Sequence, residues 1–253
     1  MTNDIAGPAG DVGQDDAELG PHDDEPHGAG LGNRLNWLRA GVLGANDGIV
    51  STAGIVLGVA GATSDRTAIV VAGVAGLVAG AMSMAAGEYV SVSTQRDSER
   101  ALLRKEELEL RETPDEELAE LAGIYVGKGL DEKLALEVAT QLTAHDALGA
   151  HAEAELGIDP DDLTSAWNAA FASMIAFTVG ALLPLLTISL VAAGARVWVT
   201  VVSVALALAL TGAVSARLGY APAGRAVARN VAGGLFAMLA TYLVGSLIGT
   251  RVG

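Results

Sequence analysis

Apolar residues run almost unbroken through five stretches of the chain, at about 38–62, 67–92, 168–193, 197–218 and 227–250. Crossing a hydrocarbon core takes about 20 residues of helix, so each stretch is long enough to span a membrane. Between the second and third stretches the pattern changes, and charged residues alternate with apolar ones over 97–166. The chain is therefore expected to be all-α, a polytopic membrane protein with about five transmembrane helices and a cytoplasmic three-helix insert between spans two and three. The expected divisions are an acidic tail over 1–33, spans one and two over 34–96, the insert over 97–166 and the last three spans over 167–253. Gly and Ala are dense in the spans, among them Gly41, Gly44, Gly54, Gly58, Gly73, Gly76 and Gly80. Small residues let helices pack closely where lipid supplies no hydrophobic drive.

Local signals divide the insert. Its first helix is expected to continue the second span past Arg96 to about Glu112. Thr113-Pro114-Asp115-Glu116 then reads as a helix start, with Thr as N-cap and Pro in the first position. Gly127-Lys128-Gly129 ends that helix, Asp131 caps the next, and Gly157 and Pro160 break it after Glu155. No internal repeat is visible, which argues against an inverted-repeat transporter.

Basic residues set the expected orientation. Arg34, Arg39, Arg96, Arg100, Arg104, Lys105, Arg217, Arg225 and Arg229 flank span ends on one side, against Arg66, Arg196 and Arg251 on the other. The N-terminus and insert are thus expected in the cytoplasm, the C-terminus outside, and the Ala/Gly/Val bias points to a bacterial cell membrane. The net charge of −15 is concentrated outside the spans, with eight acids and no Lys or Arg in residues 1–33. That tail lacks the apolar content to fold, does not resemble a signal peptide, and holds His22 and His27, to which no role is assigned. A basic nucleic-acid footprint is missing, and no cysteine is available for thiolate chemistry.

Two carboxylates fall within spans, Asp47 in Asn46-Asp47-Gly48 and Glu88 in Gly87-Glu88-Tyr89. Carboxylates in lipid are costly and usually mark an ion path or a paired cation. Glu88, eight residues before Arg96, also reads as a hydrated interfacial group, whereas Asp47 has Leu43 on one side and Ile49 and Val50 on the other. Met84, Glu88, Ser91 and Gln95 recur at spacings of four, three and four, which puts them on one helix face. A thioether beside a carboxylate favours a transition metal over calcium or magnesium, although Met alone is usually core filler. The expected transport path is Asp47, Met84, Glu88 and Ser91. In the insert, Glu106 and Glu109, Glu117 and Glu120, and His151 and Glu155 form three pairs at helical spacing. Solvated faces commonly look this way. As a set, oxygen donors with one imidazole suit iron(II), manganese(II) or zinc(II).

The chain resembles the vacuolar iron transporter family from about Leu35 to Gly249. The resemblance rests on Asn46-Asp47-Gly48-Ile49-Val50-Ser51, on the run from Gly80 to Ser91 (GAMSMAAGEYVS), on Gln95-Arg96-Asp97, and on the run from Leu142 to His151 (LTAHDALGAH). It implies a five-span homodimer that exchanges iron(II) for protons, with cytoplasmic helices that gather metal. The family's pore carboxylate matches Asp47 and its pore methionine matches Met84. Its insert glutamates match Glu106, Glu109, Glu117, Glu120 and Glu155. Plant members carry an earlier pore glutamate where this chain has Gly76, which leaves Glu88 as its substitute, and methionines where this chain has His151 and Ala152.

The function expected is export of iron(II) or manganese(II) from the cytoplasm in exchange for protons, with no resident cofactor. The partners are lipid, divalent metal, protons and a second copy of the chain. The alternative is a membrane-anchored metal sensor or sequestering protein without transport. An enzyme is disfavoured, since none of the four histidines has the Glu three residues earlier that di-iron sites use.

Overall fold

A computed structural model describes residues 31–160 and 164–252, with side chains described from 41 to 250. Residues 1–30, with His22 and His27, and the side chains of Arg34, Arg39 and Arg251 lie outside the described set. The described elements are α1 (Leu31–Ala62), α2 (Arg66–Glu112), α3 (Pro114–Gly127), α4 (Glu132–His151), a π-helical turn (Ala152–Leu156), α5 (Ala166–Leu190), α6 (Arg196–Leu218) and α7 (Ala223–Val252). No strand occurs among the described residues. Five of the helices, α1, α2, α5, α6 and α7, are long and apolar enough to cross a membrane. The protein is an all-α polytopic membrane protein.

The centre of the bundle is α1, which touches all four other spans. Its Ile49, Ala53, Val56 and Leu57 are buried against Ile69 of α2, Leu185 and Ile188 of α5, Val204 and Leu208 of α6, and Met238 of α7. Large apolar side chains on the outer faces, such as Val71, Val78, Leu186, Leu206 and Leu243, are exposed, as lipid contact requires. The α1–α5 crossing is backbone on backbone. A methyl added at Gly48 would collide with the Phe177 carbonyl, and one at Gly180 with the Ala45 carbonyl. Glycine on both sides is what lets α5 lie against the turn of α1 that carries Asp47. Several hydroxyls inside the spans return to their own helix, as when Thr178 donates to Met174 O at 2.8 Å and Thr241 to Ala237 O at 2.9 Å. At the far end, buried Arg196 donates through Nη2 to Ser64 O at 2.8 Å, which ties α6 to the α1–α2 loop.

Helix α2 runs 47 residues without a break. At 1.5 Å per residue it is about 70 Å long, more than twice the hydrocarbon thickness. The expected division between Arg96 and Asp97 therefore falls inside a continuous helix, and Glu106 stands about 20 Å past the end of the apolar stretch. Thr113 separates α2 from α3 but does not cap α3 with its side chain. Its hydroxyl donates back to Glu109 O at 3.2 Å, because the residue is also the C-cap of α2. Asp131 does cap α4, accepting from Lys133 N and Leu134 N. Beneath the spans, α3 packs on α4, and both lean on the lower part of α2, with Leu121, Ala135 and Ala139 buried.

Candidate metal centre and transport path

Three elements of the insert meet at one point. The lower half of α2 supplies Glu106, α3 supplies Glu117, and the end of α4 with its π turn supplies His151 and Glu155. One ligand atom from each of the four lies within 4.8 Å of all the others. His151 is fully buried, and its Nδ1 stands 3.0 Å from Glu155 Oε1, 3.3 Å from Glu106 Oε1 and 3.9 Å from Glu117 Oε2. Glu106 and Glu117 are buried as well. Among the described residues, the ion pairs of Glu106, Glu117 and Glu155 run to His151 and to no Lys or Arg.

Three carboxylates so placed are uncomfortable. Burial, and then the charge of Glu155, push the Glu106 carboxyl above the ordinary glutamate range, against the pull of His151. Burial followed by Glu106 raises Glu117, and burial raises Glu155 despite its hydrogen bond to His151. Glu106 Oε1 and His151 Nε2 are buried without a hydrogen-bond partner, although Oε1 is near Nδ1. A divalent cation held by His151 Nδ1 and the three carboxylates would satisfy Glu106 Oε1. Ligands about 2.1 Å from a common ion stand roughly 3–4 Å apart, so this set has to contract by only about 1 Å. One nitrogen among carboxylate oxygens suits iron(II), manganese(II) or zinc(II).

The other two insert glutamates are not in this group. Glu109 turns to Lys105, whose Nζ is 2.6 Å from both carboxylate oxygens, and Glu120 is exposed. Both still bear electrostatically on the centre. The spacing would allow both members of each pair to face one point; here Glu106 and Glu117 are turned inward and buried, while Glu109 is held by Lys105 and Glu120 stays exposed.

Within the spans, Asp47 is half-buried on α1 and accepts from Ser51 Oγ at 2.6 Å. Its neighbours are committed elsewhere: Asn46 Oδ1 accepts from Thr211 of α6 at 3.3 Å, and Gly48 meets α5. From Ser51 an apolar groove of about 730 Å³ runs between α1 and α7, lined by Gly54, Gly58, Thr241 and Gly245 among others. Met84 is half-buried and packs on Phe177, Ala81 and Ala181. Glu88 is half-buried, Ser91 is exposed, and exposed Gln95 donates to Glu99 at 2.8 Å. At Gly76, where plant relatives were expected to carry a glutamate, an added Cβ would meet Ile55 of α1.

Sequence reasoning missed two supports. Ser51 is the direct partner of Asp47 and lies one turn later, a spacing that was available to find it. Asp146 breaks α4 just before His151, and its local signal was the Gly three residues on.

Residues 38–246 match the model of the VIT family. The chain belongs to the VIT family. A protein named "Vacuolar iron transporter" from Acanthamoeba castellanii is 44% identical over 230 residues, covering 89% of this chain and 83% of its own length. "Vacuolar iron transporter homolog 5" from Oryza sativa subsp. japonica is 40% identical over 84% of this chain and 80% of its own. "Vacuolar iron transporter homolog 2" from Arabidopsis thaliana is 36% identical over 85% and 86%. The resemblance read from the Asp47 and Met84 motifs is thus established. This VIT-family chain is a membrane transporter, not an enzyme.

Proposed function

We propose that this VIT-family chain moves iron(II) or manganese(II) out of the cytoplasm in exchange for protons. The convergence of Glu106, Glu117, His151 and Glu155 beneath the spans carries this reading. Three carboxylates and an imidazole bind the metal cargo, and Glu109 and Glu120 add negative charge that attracts it to the insert. The ion then passes to Asp47 in α1, with Met84, Glu88 and Ser91 of α2 along its route. Protonation of a ligand carboxylate releases the metal, so one group serves metal and proton alternately. Zinc(II) fits the same donors. The excess of Arg and Lys at the insert side supports a cytoplasmic insert and N-terminus and an external C-terminus, in the cell membrane. Pairing of two copies would give the broad exposed face of α2 a protein neighbour.

The test uses proteoliposomes with a metal-quenched dye inside and an imposed pH gradient. Wild type is compared with Asp47→Ala for iron(II), manganese(II), zinc(II) and calcium(II). Gradient-dependent uptake of iron or manganese, abolished by Asp47→Ala, is the expected result. Metal bound by the insert with no uptake of any ion overturns transport and leaves a sensor.

A further inference from the structure

Helix α4 is not one helix. Asp146, three-quarters of the way along, has φ −155° and ψ 93°, which is extended backbone inside a helical run. Its Oδ1 accepts from Gly149 N, three residues on, at 3.0 Å. Extended dihedrals with a carboxylate oxygen on the third amide that follows are the geometry of an N-cap. The residues after it therefore form a separate unit with its own start. That unit also has its own end, since Gly157 is left-handed at φ 64° and Ala152 O accepts from both Gly157 N and Ile158 N. The unit contains His151, Glu155 and the π turn, and lies beyond the buried Ala135 and Ala139 of the first part of α4.

The break has a geometric consequence. A continuous helix would carry His151 onward along the α4 axis. After the break at Asp146 the imidazole of His151 lies beside Glu106 and Glu117 of two other helices, and the π turn that follows brings Glu155 to the same nitrogen. Glycine at the position three residues after Asp146 leaves room for the carboxylate in this rotamer, and a Cβ at Gly149 would push the Asp146 carboxylate away from the cap. Asp146 is exposed and lies outside the group of four converging ligands.

We propose that Asp146, with Gly149, is a positioning residue for the metal centre: its side chain caps a detached unit and so holds His151 and Glu155 toward Glu106 and Glu117. The inference rests on the metal-binding role given to those four residues.

The test uses the full chain in detergent or nanodiscs, titrated with cobalt(II) and manganese(II). Loss of an N-cap weakens what it holds by roughly three- to tenfold in equilibrium terms. Asp146→Ala is expected to lower cobalt(II) affinity by about that factor and shift its visible spectrum toward that of His151→Ala. Asn caps as well as Asp, so Asp146→Asn should keep wild-type affinity within about twofold and keep the wild-type spectrum. Gly149→Ala should match Asp146→Ala, while the double variant should be no worse than Asp146→Ala, because removing the carboxylate removes the collision. Elution volume and helical content unchanged in each variant separate misaiming from misfolding. An Asp146→Ala protein with wild-type affinity and spectrum overturns the proposal. So does Asp146→Asn failing as badly as Ala, since the charge and not the cap would then matter. Wild type and His151→Ala binding cobalt(II) identically would instead sink the parent reading of the site, and this inference with it.

Discussion

Replacing Glu106 by Gln removes one negative charge from a pocket where three carboxylates and one imidazole lie within 4.8 Å. At that separation a carboxylate pair repels by about 3.5 kcal/mol at an effective dielectric of 20. Glu106 faces two such partners, Glu117 and Glu155, so full ionisation would cost roughly 7 kcal/mol. The values of all three groups are raised, first by burial, so proton uptake as pH falls relieves part of this repulsion. Part of the gain is also returned, because the substitution removes an attraction to His151. A net stabilisation of about 2 kcal/mol in the metal-free protein at neutral pH is the expected balance, or about 4–8 °C in melting temperature for a chain of this size. The sign of the pH dependence follows from the same shifts. A carboxyl whose folded value is raised contributes stability below its unfolded value and loses it as pH rises through the folded one. Metal-free wild type should therefore grow more stable as pH falls from neutral toward the ordinary glutamate range, and Glu106→Gln should show a flatter profile. The assay is thermal unfolding in chelator across that range, with hydrogen exchange of α3 and the π turn to localise the effect. Added manganese(II) should reverse the order, since only wild type keeps the full ligand set. A Glu106→Gln protein that melts below wild type without metal at neutral pH would refute the reasoning, because the attraction to His151 would then outweigh the repulsion.

Other consequences are equally open to measurement. Ser51→Ala removes a 2.6 Å bond to the Asp47 carboxylate; such bonds contribute about 1.5–3 kcal/mol, so liposome uptake should fall at least about tenfold while Asp47→Asn abolishes it. Gly180→Ala drives a methyl into the Ala45 carbonyl, and an overpacked crossing should cost about 1–3 kcal/mol, seen as a lower melting temperature and reduced uptake together. Arg196→Met removes the bond to Ser64 O; a destabilisation of about 1–3 kcal/mol is expected by thermal shift. Lys105→Met frees Glu109 at the surface and should leave the melting temperature unchanged, since exposed pairs contribute little.

The five spans, the length of α2 past Arg96, the starts of α3 and α4 and the end of α3 were legible in the sequence, whereas the break at Asp146 and the π turn that follows His151 were not. The legible features are set locally, by the length of apolar runs, by Pro114 at a first turn, by the Asp131 cap and by glycines at helix ends. The sequence also placed Asp47 and the six insert donors as candidates, because a carboxylate in an apolar run and acids at helical spacing are visible in one dimension. Which donors meet was decided by tertiary structure. Glu106 and Glu109 read alike in sequence, yet one is buried beside His151 and the other pairs with Lys105. Helical spacing fixes the angle between two side chains but not the rotation of the helix against its neighbours. That rotation comes from packing over Leu121, Ala135 and Ala139 and from the break at Asp146. The close approach of α1 and α5 was likewise hidden: glycines that read as generic packing residues are specific where Gly48 and Gly180 each meet a carbonyl of the other helix. A contact between residues more than a hundred positions apart has no local signature, so only the folded chain reveals it.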